Sequence, residues 1–447
     1  MHSTMRREFR SLFYLAMPMV IGGIVNAVVP FINTAFMGRI GDTALAAGGL
    51  VNIIFTFVMV LFWGVFSSVS SLVARYEGAQ NLGESSRLVK TGVILAIIFA
   101  LPVMGLFYGA GSLLAWTGQA TEVVTLARAY FHTLSFAVIP DFVLTVLYDL
   151  CFGLSKPKMA MALTVLFVPI DLALNALFVF GYGPIAAHGI SGLGIGTSIA
   201  FWLILAMMML LFYVTPLFRT HFQGRCWFDF KKAKELLSVG VPVGVMWVFE
   251  VGFFMVIALL MGHISSVALA AHQMAFQTYM LFFNVIYSFS QALGVRVGDG
   301  VGAKRPRQIV HAFWWAILFS IALALLVFVM VHDEGQVLLR FFMGSDYAPE
   351  SAVTLLALRL FAWVPLFFLT DALGFMCFAS LRALKDTRYT LMVAILNYWC
   401  VMIPVMIIGV FHFHWNNPLI LWALLIAGSI VSAIAQGGRL WLKIAKN

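Results

Sequence analysis

Long apolar segments separated by short polar loops make up most of this 447-residue chain. A helix rises about 1.5 Å per residue, so about 20 apolar residues cross a hydrocarbon layer roughly 30 Å thick. The pattern predicts an all-α integral membrane protein with twelve transmembrane helices. They are Ser11–Met37, Thr43–Ala74, Arg87–Trp116, Val123–Gly153, Met159–Gly181, Gly189–Tyr213, Leu236–Gly262, Val267–Val297, Gln308–Val331, Ala348–Ala383, Tyr389–Phe411 and Pro418–Leu442.

The two halves of the chain share motifs at one constant spacing of 224 residues. Pro18 corresponds to Pro242, and the motif MG-x5-ALAA occurs at Met37–Ala47 and again at Met261–Ala271. Repeated motifs at one offset indicate a duplicated bundle, predicted here as two six-helix repeats. Because each repeat has an even number of spans, the two repeats should run in the same direction through the membrane.

A basic, polar segment lies between these halves, with the sequence TPLFRTHFQGRCWFDFKKAKE. It is the longest polar segment in the chain, and we interpret it as a cytoplasmic connector. The predicted domains are therefore an N-terminal lobe of residues 1–214, a linker of residues 215–235 and a C-terminal lobe of residues 236–447.

Basic residues are concentrated in every second loop and in the two terminal segments. With the N-terminus in the cytoplasm, 23 of the 27 Lys and Arg residues fall on the cytoplasmic side, and only Arg39, Arg128, Arg340 and Arg359 fall outside. This positive-inside asymmetry predicts cytoplasmic N- and C-termini in a cell inner (plasma) membrane. It also accounts for the net charge of +9, so no nucleic-acid partner is expected.

Composition narrows the function classes further. The chain is 62% hydrophobic and 10% charged, which excludes an ordinary soluble domain. Its four cysteines, Cys151, Cys226, Cys377 and Cys400, have no paired spacing, so neither a disulfide framework nor a cysteine metal site is expected.

Motifs of common enzymes are absent from the sequence. There is no Walker A lysine motif, no HExxH and no GxSxG, so an enzyme is not expected. The glycine-rich run SGLGIGTS, with Gly192, Gly194 and Gly196, falls inside a span, where small residues favour close helix packing over nucleotide binding.

Five acidic residues fall inside predicted spans: Asp141, Asp149, Asp171, Glu250 and Asp371. A carboxylate near the bilayer centre costs at least a few kcal/mol, and no Lys or Arg at similar depth could pair with these. Such residues commonly mark an ion or substrate path, here one for H⁺ or Na⁺. The alternative is a protonated acid that hydrogen bonds between helices.

In the second half, Glu250 and Asp371 are predicted to share a cavity. Residues of the next helix that could line the same cavity are Gln273, Tyr279, Phe283, Asn284 and Tyr287. Aromatic faces beside carboxylates suit lipophilic organic cations through cation–π attraction and apolar burial. Lipid contact or helix packing is the alternative role of the aromatic residues.

In the first half, Asp171 and Asn175 are four residues apart and therefore share a helix face. Asn33 and Thr197 fall at similar depth on other helices, so the four could bind an alkali cation or a proton. A structural hydrogen-bond cluster is the rival interpretation.

Asp141, Asp149 and His272 are three further polar residues inside predicted spans. Asp141 follows Pro140 at a predicted bend and could join either acidic network. Asp149 and His272 are expected to be structural, the latter as a packed polar residue.

The sequence resembles the multidrug and toxic compound extrusion (MATE) transporters. The resemblance rests on the repeated MG-x5-ALAA motif and on ALAAHQ (268–273), VARYEGA (73–79), VGDGVGA (297–303) and NALFVFGYG (175–183). Acids at Glu250 and Asp371, in helices seven and ten, are similar to the NorM-like branch. The resemblance implies two six-helix lobes in a V shape and efflux of cationic or amphipathic drugs in exchange for Na⁺ or H⁺, with no cofactor beyond that coupling ion.

The resemblance also implies roles for individual residues. Glu250 and Asp371 match the acidic pair used for cation coupling, and Gln273 and Phe283 fall near positions that face the substrate cavity. In the first lobe, however, this chain has Asn33 in FINTAFMG where the family usually has Asp.

This chain also has Asp171 where the family commonly has Asn. We therefore hypothesise that Asp171 supplies the displaced carboxylate, so that Na⁺ could bind at Asp171 and Asn175 as well as at Glu250 and Asp371. The competing hypothesis is that the first-lobe site is degenerate.

Two other function classes stay open. A flippase for lipid-linked oligosaccharides would need a strongly cationic central cavity for diphosphate, whereas the mid-depth charges here are acidic. An integral-membrane enzyme would need catalytic His, Asp or Arg residues in its loops, and the outer loops are short and poor in them. A monomer in the lipid bilayer that binds cationic, lipophilic drugs is the expected state.

Overall fold

The computed structural model describes residues 2–223, 227–344 and 347–444. In these ranges the regular elements are helices, apart from an isolated antiparallel bridge between Tyr182 and Ile185. Three residues with sequence predictions lie outside the described residues. They are Arg225 and Lys446, both predicted to be cytoplasmic, and Cys226, for which no disulfide is expected.

Eleven helices lie between residues 2 and 264 in the described ranges. They are α1 (His2–Asn26), α2 (Val28–Ile40), α3 (Asp42–Phe66), α4 (Ser68–Gly78), α5 (Leu82–Leu114), α6 (Thr121–Leu134), α7 (Val138–Gly153), α8 (Pro157–Phe180), α9 (Ile190–Val214), α10 (Pro216–Phe222) and α11 (Phe230–Ile264). Single 3₁₀ turns at Ala115–Thr117 and Ser135–Ala137 follow α5 and α6.

The helices that follow α11 vary more widely in length, from 8 to 38 residues. They are α12 (Ser266–Gly302), α13 (Pro306–Met343), α14 (Ala352–Phe361), α15 (Val364–Ala383), α16 (Thr387–Ala394), α17 (Ile403–Phe411) and α18 (Pro418–Ile444). A π-helical segment, Ile395–Met402, joins α16 to α17.

Twelve helical spans in the described ranges are long and apolar enough to cross a membrane. They are Glu8–Ile40, Asp42–Gly78, Leu82–Ser112, Thr121–Gly153, Pro157–Phe180, Ile190–Val214, Phe230–Ile264, Ser266–Gly302, Pro306–Met343, Val364–Ala383, Thr387–Phe411 and Pro418–Ile444. The prediction of an all-α protein with twelve spans is therefore confirmed.

The tenth span is shorter than predicted. The segment Ala348–Ala383 was expected to be one long helix, but α14 ends at Phe361 and the span begins at Val364. The break precedes Pro365, whose ring disfavours helical geometry at the preceding residue and which lacks an N–H for a hydrogen bond one turn back. Pro30 and Pro140 likewise lie in the first turns of α2 and α7, just after breaks.

Glycines bring α8 and α9 together in the first half. A Cβ atom on Gly192 would overlap the carbonyl of Phe178, and one on Gly196 would overlap the side chain of Asn175. The prediction of close helix packing in the SGLGIGTS run is confirmed.

The chain forms two compact units, which divide after Tyr14 and Gly244. The first unit contains residues 15–244, and the second contains the N-terminal residues up to Tyr14 together with those from Val245 onward. These divisions differ from the predicted domain boundaries, and the lobes themselves stay a prediction.

Two sets of contacts lie inside the units, near the points where the chain passes from one unit to the other. In the second unit, the Arg296 guanidinium donates to Glu8 at 2.6 Å, which attaches the start of α1 to α12. In the first unit, Lys232 Nζ lies 2.6 Å from Glu84 Oε2 and the Tyr76 hydroxyl donates to Glu235 at 2.6 Å. The start of α11 is thereby held by the end of α4 and the start of α5, within the first unit.

Candidate functional site

A cavity in the second unit contains both Glu250 and Asp371. It is lined by Met246, Phe249, Glu250, Asp371, Gly374, Phe375, Phe378, Ala394, Tyr398, Ser429, Ser432 and Gln436. Glu250 comes from the middle of α11, Asp371 from α15 and the serines from α18. The structure thus brings the two acids into one space, although 121 residues of sequence separate them.

The acids of this cavity have no basic neighbour in its lining. None of the twelve lining residues is Lys, Arg or His. Asp371 accepts a hydrogen bond of 2.6 Å from the hydroxyl of Tyr279, whose side chain is fully buried. Both carboxylates are partly exposed. A cation that enters the cavity would therefore meet acceptor oxygens without displacing a resident positive charge.

The predicted aromatic residues lie behind this cavity. The ring of Phe283 lies 5.1 Å from that of Phe375, which lines the cavity, and Tyr279 and Tyr287 continue the row along α12. Asn284 donates to the carbonyl of Met280, one turn earlier on its own helix.

None of the predicted substrate-cavity residues lines this space. Gln273, Tyr279, Phe283, Asn284, Tyr287 and Asp141 are all absent from its lining, and Gln273 is exposed. The reason is geometric: the walls come from α11, α15, α16, the π-helical segment and α18, whereas five of the six lie on α12 and Asp141 lies on α7.

Four polar lining residues were missed by the sequence analysis: Tyr398, Ser429, Ser432 and Gln436. Three of them lie at positions i, i+3 and i+7 of an apolar helix and therefore share one face, a signal that the sequence does contain. Tyr398 lies in the π-helical segment, a distortion that often occurs at functional sites and that no sequence pattern here predicted.

In the first unit, the four predicted residues of the N-lobe site meet. The Asn175 amide lies 3.0 Å from Asp171 Oδ2, 3.1 Å from Asn33 Oδ1 and 3.2 Å from Thr197 Oγ1. Asp171 and Asn175 are fully buried. The second carboxylate oxygen of Asp171 is buried and has no hydrogen-bond partner among the described residues.

Asp141 joins neither cluster. Its Oδ2 accepts a hydrogen bond of 2.7 Å from the indole of Trp63, which connects α7 to α3. His272 is buried, and its Nδ1 accepts from the indole of Trp422 at 3.2 Å, so it occupies a packed position. Asp149 is buried on α7.

The chemistry of both clusters suits an alkali cation better than a transition metal. Among the described residues, no three His, Cys, Asp or Glu side chains converge as a metal site. The clusters instead offer carboxylate, amide and hydroxyl oxygens, the ligands that hard cations prefer.

Comparison with known proteins assigns the family. The MatE family model matches residues 18–177 and 242–408. Of the similar curated proteins, the probable multidrug resistance protein NorM of Mesorhizobium japonicum is 28% identical over 442 residues, which cover 98% of this chain and 94% of that protein. The NorM protein of Pseudomonas aeruginosa is 28% identical over 95% of this chain and 87% of its own.

Solved structures share the fold. A multidrug resistance MATE family transporter in an outward-facing conformation matches with a TM-score of 0.88 at 19% identity, over 98% of this chain and 96% of that one. A eukaryotic MATE transporter matches with a TM-score of 0.85 at 20% identity, over 99% and 98%. The resemblance to NorM-like MATE transporters is confirmed: this chain is a multi-pass membrane protein and belongs to the MatE family.

Proposed function

We propose that this protein is a secondary antiporter that exports cationic or amphipathic organic compounds in exchange for Na⁺ or H⁺, by alternating access. Its relatives named as multidrug resistance proteins support efflux of drugs. We further propose that it works as a monomer in the inner (plasma) membrane, with both termini in the cytoplasm and no cofactor beyond the coupling ion.

The observation that carries this proposal is the cavity of Glu250 and Asp371. Two carboxylates share a space without a basic residue, and an aromatic row stands one contact behind it. A cationic drug and a coupling cation would both be attracted to these acids, because each supplies the positive charge that the site lacks.

In the proposed mechanism, the cationic drug and the coupling ion compete for the same two acids. When Na⁺ or H⁺ occupies Glu250 and Asp371, it neutralises their charge and weakens their hold on a cationic drug, which is released outward. By thermodynamic linkage, the drug must weaken cation binding by the same factor.

The cluster around Asp171 is the proposed second coupling site. Its carboxylate would replace the charge that Asn33 lacks, and the second Asp171 oxygen has no hydrogen-bond partner among the described residues. This part of the proposal concerns the first unit alone, because all four residues of the cluster lie there.

The test is transport of a fluorescent organic cation into proteoliposomes under an imposed Na⁺ gradient or an imposed pH gradient. We expect one gradient to drive uptake, and Glu250→Gln or Asp371→Asn to lower it at least 10-fold. The control is Glu334→Gln, which neutralises an exposed acid near the end of α13 and should leave uptake unchanged.

One result of this transport assay would refute the antiporter proposal. If neither gradient moves any organic cation through correctly inserted protein, the antiporter proposal is wrong. The lipid-linked oligosaccharide flippase then becomes the hypothesis to test, by measuring translocation of a labelled lipid-linked sugar in the same vesicles.

A further inference from the structure

The connector begins with α10, which packs against α5 and α9 within the first unit. The ring of Phe218 stacks on that of Phe212 near the end of α9, with 4.3 Å between the ring centroids. Ser86 of α5 donates to the backbone carbonyl of His221 at 2.7 Å. The side chain of His221 then reaches Glu77, next to the end of α4.

The buried imidazole of His221 lies between two hydrogen-bond acceptors. Its Nδ1 lies 2.9 Å from the carbonyl oxygen of Leu217, and its Nε2 lies 3.1 Å from Oε1 of Glu77. The His221 side chain is only 1% exposed, so water has little access to either ring nitrogen. A neutral imidazole has one N–H group and one lone pair, whereas a carbonyl or carboxylate oxygen can only accept.

The pair of His221 and Glu77 therefore needs one proton more than a neutral imidazole and a carboxylate contain. With that proton on the imidazole, both ring nitrogens donate, one to Leu217 and the other to Glu77. Without it, one ring nitrogen turns a buried lone pair toward an acceptor, and one of the two hydrogen bonds is lost. The contact between α10 and α4 is then weaker in the deprotonated state.

The other charged groups around α10 have partners of their own. Arg87 and Glu84 of α5 lie 3.2 Å apart, and Arg219 of α10 lies 5.6 Å from the ring of Tyr213 on α9. The remaining ionisable groups at this end of α4 and α5 are Arg75, Tyr76 and Lys90, of which Tyr76 donates to Glu235 and Lys90 donates to the carbonyl of Gln223. Within the described ranges, Glu77 is the one ionisable side chain that hydrogen bonds to the imidazole.

We propose that His221 and Glu77 form a pH-sensitive latch, which holds α10 against α4 at acidic pH and loosens it as the pH rises. Histidine is the side chain whose charge ordinarily changes between about pH 5 and pH 8. Because the connector is predicted to be cytoplasmic, the latch would respond to the pH of the cytoplasm.

The loosened segment is α10 rather than the whole connector. Lys232 Nζ lies 2.6 Å from Glu84, which holds the start of α11 by a contact that does not involve His221. The latch lies in the first unit, whereas Glu250 and Asp371 lie in the second, so the inference goes beyond the proposed antiport and does not depend on it.

Hydrogen exchange of the full-length protein in nanodiscs measures the latch directly. The readout is the protection factor of the α10 amides, which divides the intrinsic exchange rate at each pH by the observed rate. This ratio removes the ordinary effect of pH on exchange. We expect wild-type protection to fall about 10-fold or more between about pH 5.5 and about pH 8.5, because a hydrogen bond that involves a charged group is lost.

Two variants distinguish the latch from ordinary packing. His221→Gln cannot take up a proton in this range, so its protection should not depend on pH. In Glu77→Gln the amide can donate to Nε2, so a neutral imidazole keeps both hydrogen bonds and the change with pH should be about 2-fold or less. His332→Gln, at an exposed position of α13, is the matched control and should keep the wild-type pH dependence.

Several results would refute the latch. Equal protection of wild-type α10 at both pH values would do so, as would a loss in His221→Gln as large as that in the wild type. If His221→Gln does not fold, Glu77→Gln decides, because an unchanged pH dependence there would show that the pair is not the sensor. Transport is not measured in this experiment, so failure of the latch and failure of the antiporter proposal are distinguishable.

Discussion

At the scale of single residues, the displaced carboxylate of the first unit gives the sharpest prediction. Asp171 and Asn33 contact the same amide of Asn175, at 3.0 and 3.1 Å. Asp171→Asn removes the only acid of this cluster and should lower cation-driven transport about 10-fold or more. Adding Asn33→Asp to that variant returns a carboxylate to the cluster, so we expect the double variant to recover most of the transport.

Both variants are measured in the gradient assay, with Na⁺ binding as a second readout. Recovery would distinguish a displaced charge from a structural role, because a cluster that served only to connect helices would tolerate Asp171→Asn. Unchanged transport and ion dependence in Asp171→Asn would show that coupling runs through Glu250 and Asp371 alone.

The acidic residues inside the spans could be found from the sequence, but most of their hydrogen-bond partners could not. An acid inside an apolar span stands out because burial of its charge is costly. The pairing of Asp141 with Trp63 and of Asp371 with Tyr279 depends on how distant helices are rotated against each other. None of these four helices, α3, α7, α12 and α15, carries a local pattern that sets this rotation.

At the scale of helices, the contact between α8 and α9 predicts an asymmetric response to small substitutions. Gly192→Ala places a methyl group against the Phe178 carbonyl, which belongs to the backbone and cannot move aside easily. We expect a loss of about 1–3 kcal/mol in stability, typical of overpacking. Gly105→Ala on α5 is the control, because no atom lies within 4 Å of its Cβ position.

The measurement is unfolding of the purified protein by denaturant or heat. Gly105→Ala should change stability by no more than about 0.5 kcal/mol. Equal effects of the two substitutions would mean that the close approach of α9 to α8 does not contribute to stability.

The turn between α15 and α16 predicts a dependence on pH. Asp386 accepts from Arg439 at 2.8 Å and lies 3.2 Å from Lys443 Nζ. Burial acts to raise the pKa of Asp386, but the hydrogen bonds from Arg439 and Lys443 outweigh it and hold the pKa below its ordinary value. The carboxylate therefore stabilises the folded state above about pH 3.9, the ordinary pKa of Asp, and this contribution is lost as the pH falls through the lowered pKa.

Asp386→Asn should lower the melting temperature at neutral pH and reduce the further loss seen on acidification. Melting curves between pH 7 and pH 3 would test this, with the exposed Asp333→Asn as the control. A wild type and an Asp386→Asn variant with parallel pH profiles would contradict it.

At the scale of the whole molecule, the number of spans followed from hydropathy alone, since length and apolar character decide whether a helix can cross the bilayer. The division into units did not follow, because it depends on contacts between segments that lie far apart in the sequence. Lys232 with Glu84 and Arg296 with Glu8 join segments 148 and 288 residues apart, and their positions carry no periodic signal.

The orientation in the membrane is the last prediction, and it concerns all the loops together. The basic residues predict that the turn between α4 and α5 is cytoplasmic and that the loop between α5 and α6 is outside. Gly83 and Gln119 are exposed positions in these two places, and a side chain on Gly83 meets only Asn81, 3.8 Å away.

Single cysteines at these positions report the side directly. Cys226 and Cys400 are first replaced by serine, whereas Cys151 and Cys377 are buried and can remain. A membrane-impermeant maleimide should label Gly83→Cys only in inside-out vesicles and Gln119→Cys only in right-side-out ones. The opposite pattern would invert the topology. The positive-inside asymmetry would then not govern the insertion of this chain.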